Sequence, residues 1–201
     1  RLEDWSAFSY ALGRDILKDV NISVRAGEIV GIAGLMGSGR TELAKSIFGN
    51  PDRYRLSGKV FIRGKEQRFH NPHDAIRSSM AYVTEDRKGN GLILIDDVKH
   101  NISLANLKEI TSSGVINENE EILIAHKYRT SLNIKTPSIQ QKVRNLSGGN
   151  QQKVSLGKWL FVKPGIMVLD EPTRGIDVGA KYEIYTIMNS LVEQGMSIIM
   201  I

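Results

Sequence analysis

The stretch Gly34-Leu-Met-Gly-Ser-Gly-Arg-Thr41 decides how the rest of the chain is read. It follows the short apolar run Glu28-Ile-Val-Gly-Ile-Ala33. Arg40 to Phe48 then shows a helical pattern closed by Gly49-Asn-Pro51. Glycines at 34, 37 and 39 let successive backbone N–H groups turn toward one point and form a nest for an anion. The helix that follows aims the positive end of its dipole at the same point. The spacing matches the phosphate-loop pattern G-x-x-x-x-G-K-S/T, with Arg40 in place of lysine and Thr41 supplying a hydroxyl that can reach Mg2+. Gly34, Gly37, Ser38, Gly39, Arg40 and Thr41 are therefore candidate phosphate ligands. On the residues alone, the alternative is a tight strand-to-helix turn whose glycines serve packing.

Outward from this loop, strand and helix patterns alternate. Ile16, Leu17, Val20, Ile22 and Val24 alternate before the turn Arg25-Ala-Gly27. Gly58 to Gly64 and Met80 to Thr84 read as strands, and His73 to Ser79 as a short helix. Residues 97–133 read as mostly helical with a break at Thr111-Ser-Ser-Gly114, and helix resumes from about Asn150 to Phe161. Gly165 to Asp170 is a buried strand, Gly179 to Gln194 a helix, and Ser197 to Ile201 a further apolar strand. Such alternation specifies an α/β domain with a mainly parallel core sheet. Residues 92–163 carry no strong strand and read as an inserted helical lobe. The expected organisation is 1–91 for the core, 92–163 for the lobe and 164–201 for the rest of the core. The chain stops inside an apolar run, which reads as a piece of a longer protein.

Two further constellations carry chemistry. Ile166-Met-Val-Leu-Asp170-Glu171 is a buried strand ending in two acids, where Asp170 would hold Mg2+ and Glu171 would orient or deprotonate a water near a terminal phosphate. Two acids capping a strand end are the plainer alternative. Leu146-Ser-Gly-Gly-Asn-Gln-Gln-Lys153 places a hydroxyl and two glycines ahead of a helix, a second gathering of donors at a positive helix end. Taken alone, it is read more simply as a serine N-cap.

Bulk properties agree with a nucleotide binder without requiring one. Lys and Arg number 27 against 22 Asp and Glu, a net charge of +5 that equally suits nucleic acid or an anionic lipid surface. The charges are scattered, with no basic run. The absence of cysteine excludes disulfides and thiolate metal sites. No stretch reaches 18 consecutive apolar residues.

The three constellations in this order resemble the ATP-binding-cassette ATPases, and Pro172-Thr-Arg-Gly-Ile-Asp177 adds the segment that family calls the D-loop. The finer resemblance is to the second cassette of double-cassette ATPases that power bacterial monosaccharide importers. It rests on Gly34 to Leu43, Tyr82-Val-Thr-Glu-Asp-Arg-Lys88, Leu146 to Lys153 and Asp170 to Lys181, with Lys181-Tyr-Glu-Ile-Tyr185 most like the D-xylose or multiple-sugar members. The resemblance implies a P-loop NTPase (RecA-like) α/β core with a parallel sheet, an N-terminal antiparallel β subdomain and an inserted helical lobe. It further implies ATP and Mg2+ as cofactors, held by the phosphate loop, Thr41 and Asp170, with Glu171 catalytic. Ser147, Gly148, Gly149 and Gln151 would grip an ATP held by a partner cassette, and Asp177 belongs to the D-loop. Membrane permease subunits and, indirectly, an extracytoplasmic sugar-binding protein are the other implied partners, at the cytoplasmic face of a bacterial inner membrane. No nucleic-acid partner is expected. A DNA-associated ATPase of the same superfamily would interrupt the lobe with a coiled coil or zinc module, and neither pattern occurs in the sequence. A cassette that binds ATP without hydrolysing it is the other alternative.

Three departures from the family pattern stand out. Arg40 replaces lysine, Glu85 occupies the place of a glutamine that contacts Mg2+ and water, and none of His70, His73, His100 or His126 is placed as the switch histidine. The two composite ATP sites are therefore expected to be unequal, with the one built on Arg40 and Glu85 holding ATP and turning it over slowly. For adenine stacking near the N-terminus, Phe8 is preferred over Trp5 and Tyr10.

Overall fold

In the computed structural model, which describes residues 1–201, the chain divides into two units. The first comprises residues 1–82, 164–170 and 191–201 and carries two sheets. Along β1 (Leu2–Ser9) Trp5, Ala7 and Ser9 alternate onto a buried face, and an irregularity at Asp4, φ 49°, between Leu2 and Trp5 lets Leu2 be buried as well. This strand pairs antiparallel with β2 (Arg14–Ile22) and β4 (Arg55–Ile62), and β5 (Lys65–Gln67) completes the order β2-β1-β4-β5. The antiparallel β subdomain is thus present, and β4 begins three residues before the run read from the sequence.

The second sheet has the order β3-β10-β9-β6, formed by β3 (Ile29–Gly31), β10 (Ser197–Met200), β9 (Ile166–Leu169) and β6 (Met80–Val83). β10 lies between β3 and β9 and is parallel to both, with Gly31, Met200 and Leu169 in register. Ile198, Met167, Val168 and Leu169 are fully buried, the continuous apolar pattern of a sheet covered on both faces. Because the strands are parallel, the loops after β3 and β9 leave the same edge of the sheet, two strand spacings apart or roughly 10 Å. That carboxyl edge is where open α/β sheets bind ligands. Helices α1 (Arg40–Ile47) and α2 (Pro72–Arg77) complete this unit.

The second unit, residues 83–163 and 171–190, is mainly helical. It contains α3 (Val98–Ser103), a 3-10 segment over Leu104–Ile110, α4 (Glu118–Ser131), α5 (Gly148–Leu160) and most of α6 (Val178–Glu193). The helix break read at residues 111–114 is a two-residue hairpin, β7 (Thr111–Ser112) and β8 (Val115–Ile116). Its turn residues Ser113 and Gly114 both have positive φ, as a tight hairpin demands. Asp97 and Asn117 cap α3 and α4 through their side chains, each cap contributing about 1 kcal/mol. Residues 83–91, assigned to the core from the sequence, group with the helical unit, as do residues 171–190. The reason is bonding: Arg87 and Gly91 are tied to residues of that unit.

α5 is the spine of this unit and is buried from Gln151 to Lys158 despite its polar sequence. Polar groups so placed need partners. The Lys153 ammonium donates to the Asn133 carbonyl at 2.8 Å and pairs with Glu183, and the Lys158 ammonium donates to the Gly91 carbonyl. Desolvation pushes the Lys158 pKa down to about 8 from its ordinary 10.5. Below pH 8 the buried ammonium opposes folding in full. Between pH 8 and 10.5 the unfolded chain holds the extra proton, so stability from this group rises with pH. We expect the stability of Lys158→Met relative to the parent to fall by about 3 kcal/mol across that window, read from denaturant unfolding at several pH values. A pH-independent difference would contradict the buried-ammonium account.

Candidate functional site

In the first unit, the glycine loop leaves β3 at the carboxyl edge and enters α1. Gly39, in the left-handed region at φ 87°, is the N-cap, and no side chain caps the helix, unlike α2, α3, α4 and α5. A helix start without a side-chain cap presents backbone donors to an anion. A Cβ at Gly39 would stand 2.8 Å from the Ile16 carbonyl oxygen, so the loop's approach to β2 also demands glycine there. Gly34, Gly37 and Ser38 are exposed, while Arg40 and Thr41 in the first turn of α1 are half-buried. The Ser38 amide donates to the Leu35 carbonyl at 3.1 Å, which tightens the loop.

Asp170 ends β9 on the same edge. It is fully buried, and its Oδ2 accepts from the Tyr82 hydroxyl at 3.0 Å while its Oδ1 has no hydrogen-bond partner. A buried carboxylate oxygen without a donor is costly, and a hydrated hard cation would satisfy it. The donor set of Thr41 hydroxyl and Asp170 carboxylate, both oxygen, fits Mg2+. The sequence reading did not find Tyr82, which holds this carboxylate's orientation. Its place at the end of β6 was visible, but its partner 88 residues away was not.

Of the three aromatic candidates, Trp5 is buried and its indole N–H donates to Ser46 Oγ at 2.9 Å, a core role. Phe8 is half-buried. The Arg55 guanidinium lies 4.9 Å from its ring centroid and Tyr10 meets it edge-on at 5.6 Å. Tyr10 itself is 69% exposed.

In the second unit, the serine-glycine turn heads α5. Ser147 Oγ accepts from the Asn150 amide at 3.4 Å and from Asn150 Nδ2 at 2.9 Å, so the N-cap reading describes its geometry. With both bonds accepted, the hydroxyl proton remains as a donor, and Ser147 is exposed. The turn opens on a cleft of about 200 Å³ lined by Ser147, Gly149, Asn150, Asp177 and Lys135, among others. A Cβ at Gly149 would lie 2.5 Å from Ala180 Cβ, so this glycine lets α5 and α6 touch. Gly148 is half-buried beside Arg87 and Gly175. Gln151 is buried and its amide donates to the Val143 carbonyl at 3.1 Å; it braces the turn from behind rather than lining the cleft. Asp177 accepts from the Ala180 amide at 2.8 Å and caps the start of α6.

The same unit holds both remaining acids. Glu85 pairs with Arg174, whose Nε also lies 3.9 Å from Glu171 Oε2. Glu171 adopts φ 42°, left-handed backbone immediately before Pro172, a conformation disfavoured twice over. The Arg174 amide donates to the Glu171 carbonyl at 3.0 Å, closing the turn that holds it there.

A glycine loop on the carboxyl edge of a parallel sheet, a buried acid two strands away and a second glycine turn on a helical unit define an α/β nucleotide-binding cassette. The chain belongs to the ABC transporter family, whose model matches residues 17–174. Over 188 residues it is 55% identical to the L-arabinose transport ATP-binding protein AraG of Geobacillus stearothermophilus, covering 94% of this chain and 37% of that protein. It is 52% identical to the xylose import ATP-binding protein XylG of Thermoanaerobacter pseudethanolicus, with the same coverage. It is 50% identical to the ribose import ATP-binding protein RbsA of Clostridium tetani, covering 92% and 36%. The chain thus spans little more than a third of the length of these relatives. Its fold is similar to a nucleotide-free ATP-binding cassette from an ABC transporter, with TM-score 0.83 at 22% identity over 100% of this chain and 79% of that one. A dimeric cassette in a post-hydrolysis state bound to ADP and Pi gives TM-score 0.80 at 22% identity, over 99% and 85%.

Proposed function

We propose that this chain is the ATP-binding and ATP-hydrolysing part of a pump that imports a monosaccharide, a pentose such as D-xylose or several sugars. The observation that carries this reading is the 50–55% identity to three ATP-binding proteins named for arabinose transport, xylose import and ribose import, all pentoses. The chain itself would not touch the sugar. Its partners would be a second cassette, permease subunits in the bacterial inner membrane and, through them, an extracytoplasmic sugar-binding protein. No helix of the chain is long and apolar enough to cross a membrane, so attachment to the cytoplasmic face would run through the permease.

In this reading the amides of Gly34 to Thr41 bind the phosphates of ATP, and Arg40 adds a planar, permanently charged fork where a lysine would be a point charge. Thr41 and Asp170 hold Mg2+, which supplies charge neutralisation at the β- and γ-phosphates when bound. Glu171 orients the attacking water. Ser147, with its hydroxyl proton to spare, and the amides of Gly148 and Gly149 grip the γ-phosphate of an ATP bound by the partner cassette, so ATP binding draws the two cassettes together. Tyr10, exposed beside Phe8, is the better-placed surface for adenine, because an arginine already covers Phe8.

The two composite sites are unequal. At this chain's own site Glu171 already has Arg174 beside it, and Glu85 adds a carboxylate where a neutral amide would serve. That site holds ATP as a clamp and turns over slowly, while the partner's ATP, completed by Ser147 to Gly149, is hydrolysed. The import reading is tested by uptake of radiolabelled D-xylose, L-arabinose and D-ribose in cells lacking the gene. At least a tenfold loss for one of them, restored by the intact gene, is expected. Unchanged uptake of all three would refute it.

A further inference from the structure

Asp170, read as an Mg2+ ligand, has two unequal oxygens. Oδ2 accepts from the Tyr82 hydroxyl at 3.0 Å, while Oδ1 is buried without a hydrogen-bond partner. The donor comes from the neighbouring strand, since β6 borders β9 in the parallel sheet. Tyr82 is itself buried, and its ring meets that of Phe48 at 5.6 Å between centroids, tilted by 46°. Phe48 caps the end of α1, the helix whose first turn carries Thr41. The hydroxyl is thus braced by its own strand and by the helix that brings the second oxygen ligand. Tyr82, Asp170, Phe48 and Thr41 all belong to the first unit. A hydrogen bond to a carboxylate is among the stronger kinds and anchors the group at one end. Turning the carboxylate to bring both oxygens onto one ion would break that bond and leave a buried phenol without its acceptor, which is costly. Asp170 therefore offers a cation one oxygen, Oδ1.

We propose that Tyr82 is a positioning residue that sets ion selectivity: by holding Oδ2 it limits Asp170 to a single metal-facing oxygen and so favours Mg2+ over Ca2+ as the ion bound with ATP. Mg2+ demands a compact octahedron and keeps several waters, so one carboxylate oxygen suits it. Ca2+ accepts roughly six to eight oxygens at longer range and readily takes a carboxylate through both. Without the hydroxyl, Asp170 is free to turn, which costs Mg2+ its oriented ligand and opens the two-oxygen contact to Ca2+. Hydrogen bonds behind a metal ligand typically govern affinity by about 10–100-fold, so the effect is large enough to measure. The proposal rests on the reading of Gly34 to Thr41 with Asp170 as the site of ATP and its metal.

The test is photolabelling of the intact ATP-binding protein with 8-azido-ATP, titrated with Mg2+ alone or Ca2+ alone and read as labelled peptides from residues 1–201. The parent should reach half-labelling at a Mg2+ concentration at least about tenfold below that needed of Ca2+. Tyr82→Phe keeps the ring against Phe48 and removes only the hydroxyl. We expect it to raise the Mg2+ requirement about tenfold and to change the Ca2+ requirement by less than about threefold, so that the preference shrinks. The melting temperature without metal, followed in parallel, reports the fold. A tyrosine that serves packing alone would weaken both ions equally. That result, an unfolded variant, an unchanged variant or a parent without ion preference overturns the proposal. Parent labelling that does not saturate, or that persists when EDTA removes divalent cations, overturns the reading of the ATP and metal site itself, and the proposal with it.

Discussion

Replacing Ser147 with arginine lowers sugar-stimulated ATP hydrolysis by the assembled transporter at least 100-fold. Ser147 is exposed at the head of α5, accepts two hydrogen bonds from Asn150 and keeps its proton to donate. A guanidinium on its long stem would fill the cleft of about 200 Å³ in which a phosphate from the partner cassette is read to sit, and would hold the two cassettes apart. The change also removes an N-cap, which costs about 1 kcal/mol, too little to unfold the unit. Phosphate release by the transporter in liposomes, with the melting temperature followed in parallel, checks the expectation. Retained hydrolysis with an intact fold would mean that the turn does not complete an ATP site.

The second large effect concerns what holds that turn in place. Lys153, the last residue of the serine-glycine octet, is almost wholly buried and is paired with Glu183 on α6. Truncating Glu183 to alanine strands a charge in the interior, and such losses run at about 3–5 kcal/mol. Glu183 is itself partly exposed, so water can reach the broken pair and about 3 kcal/mol is the appropriate expectation. Lys153→Met removes the charge with its partner's obligation and should cost about 1 kcal/mol or less. Hydrogen exchange of the α5 amides in the intact protein separates the two: roughly 100-fold faster for Glu183→Ala, within about fivefold for Lys153→Met. Equal effects of both changes would contradict a buried-charge origin.

These residues also mark the boundary of what the sequence discloses. The glycine loop, the acid-ended strand and the serine-glycine turn were legible because each is a local pattern: backbone freedom, strand burial and helix capping act over a few residues. The order of strand and helix was legible for the same reason. What stayed hidden depends on partners distant along the chain. Lys153 and Lys158 look like ordinary helix-surface lysines, yet α5 is buried along this stretch and each lysine finds an oxygen acceptor elsewhere in the unit. Gln151 reads as part of the turn's ligand set, and nothing in the motif shows that its side-chain amide donates to the Val143 carbonyl. Arg87 and Arg174 lie inside quoted stretches, and nothing local shows that they meet. Phe8 and Tyr10 are equivalent by composition. The position of Arg55 and the greater exposure of Tyr10 distinguish them.

In the proposed function this chain's own ATP site is a clamp, and its serine-glycine turn completes the site that hydrolyses. Glu171→Gln removes the carboxylate read to orient or deprotonate the attacking water while keeping its size. The most direct measurement is steady-state ATP turnover of the full transporter carrying this change. Turnover within about threefold of the parent is expected, since the working site draws its water-orienting group from the partner cassette. A fall of tenfold or more would show that the Arg40 site hydrolyses ATP itself, and would contradict the unequal-site reading.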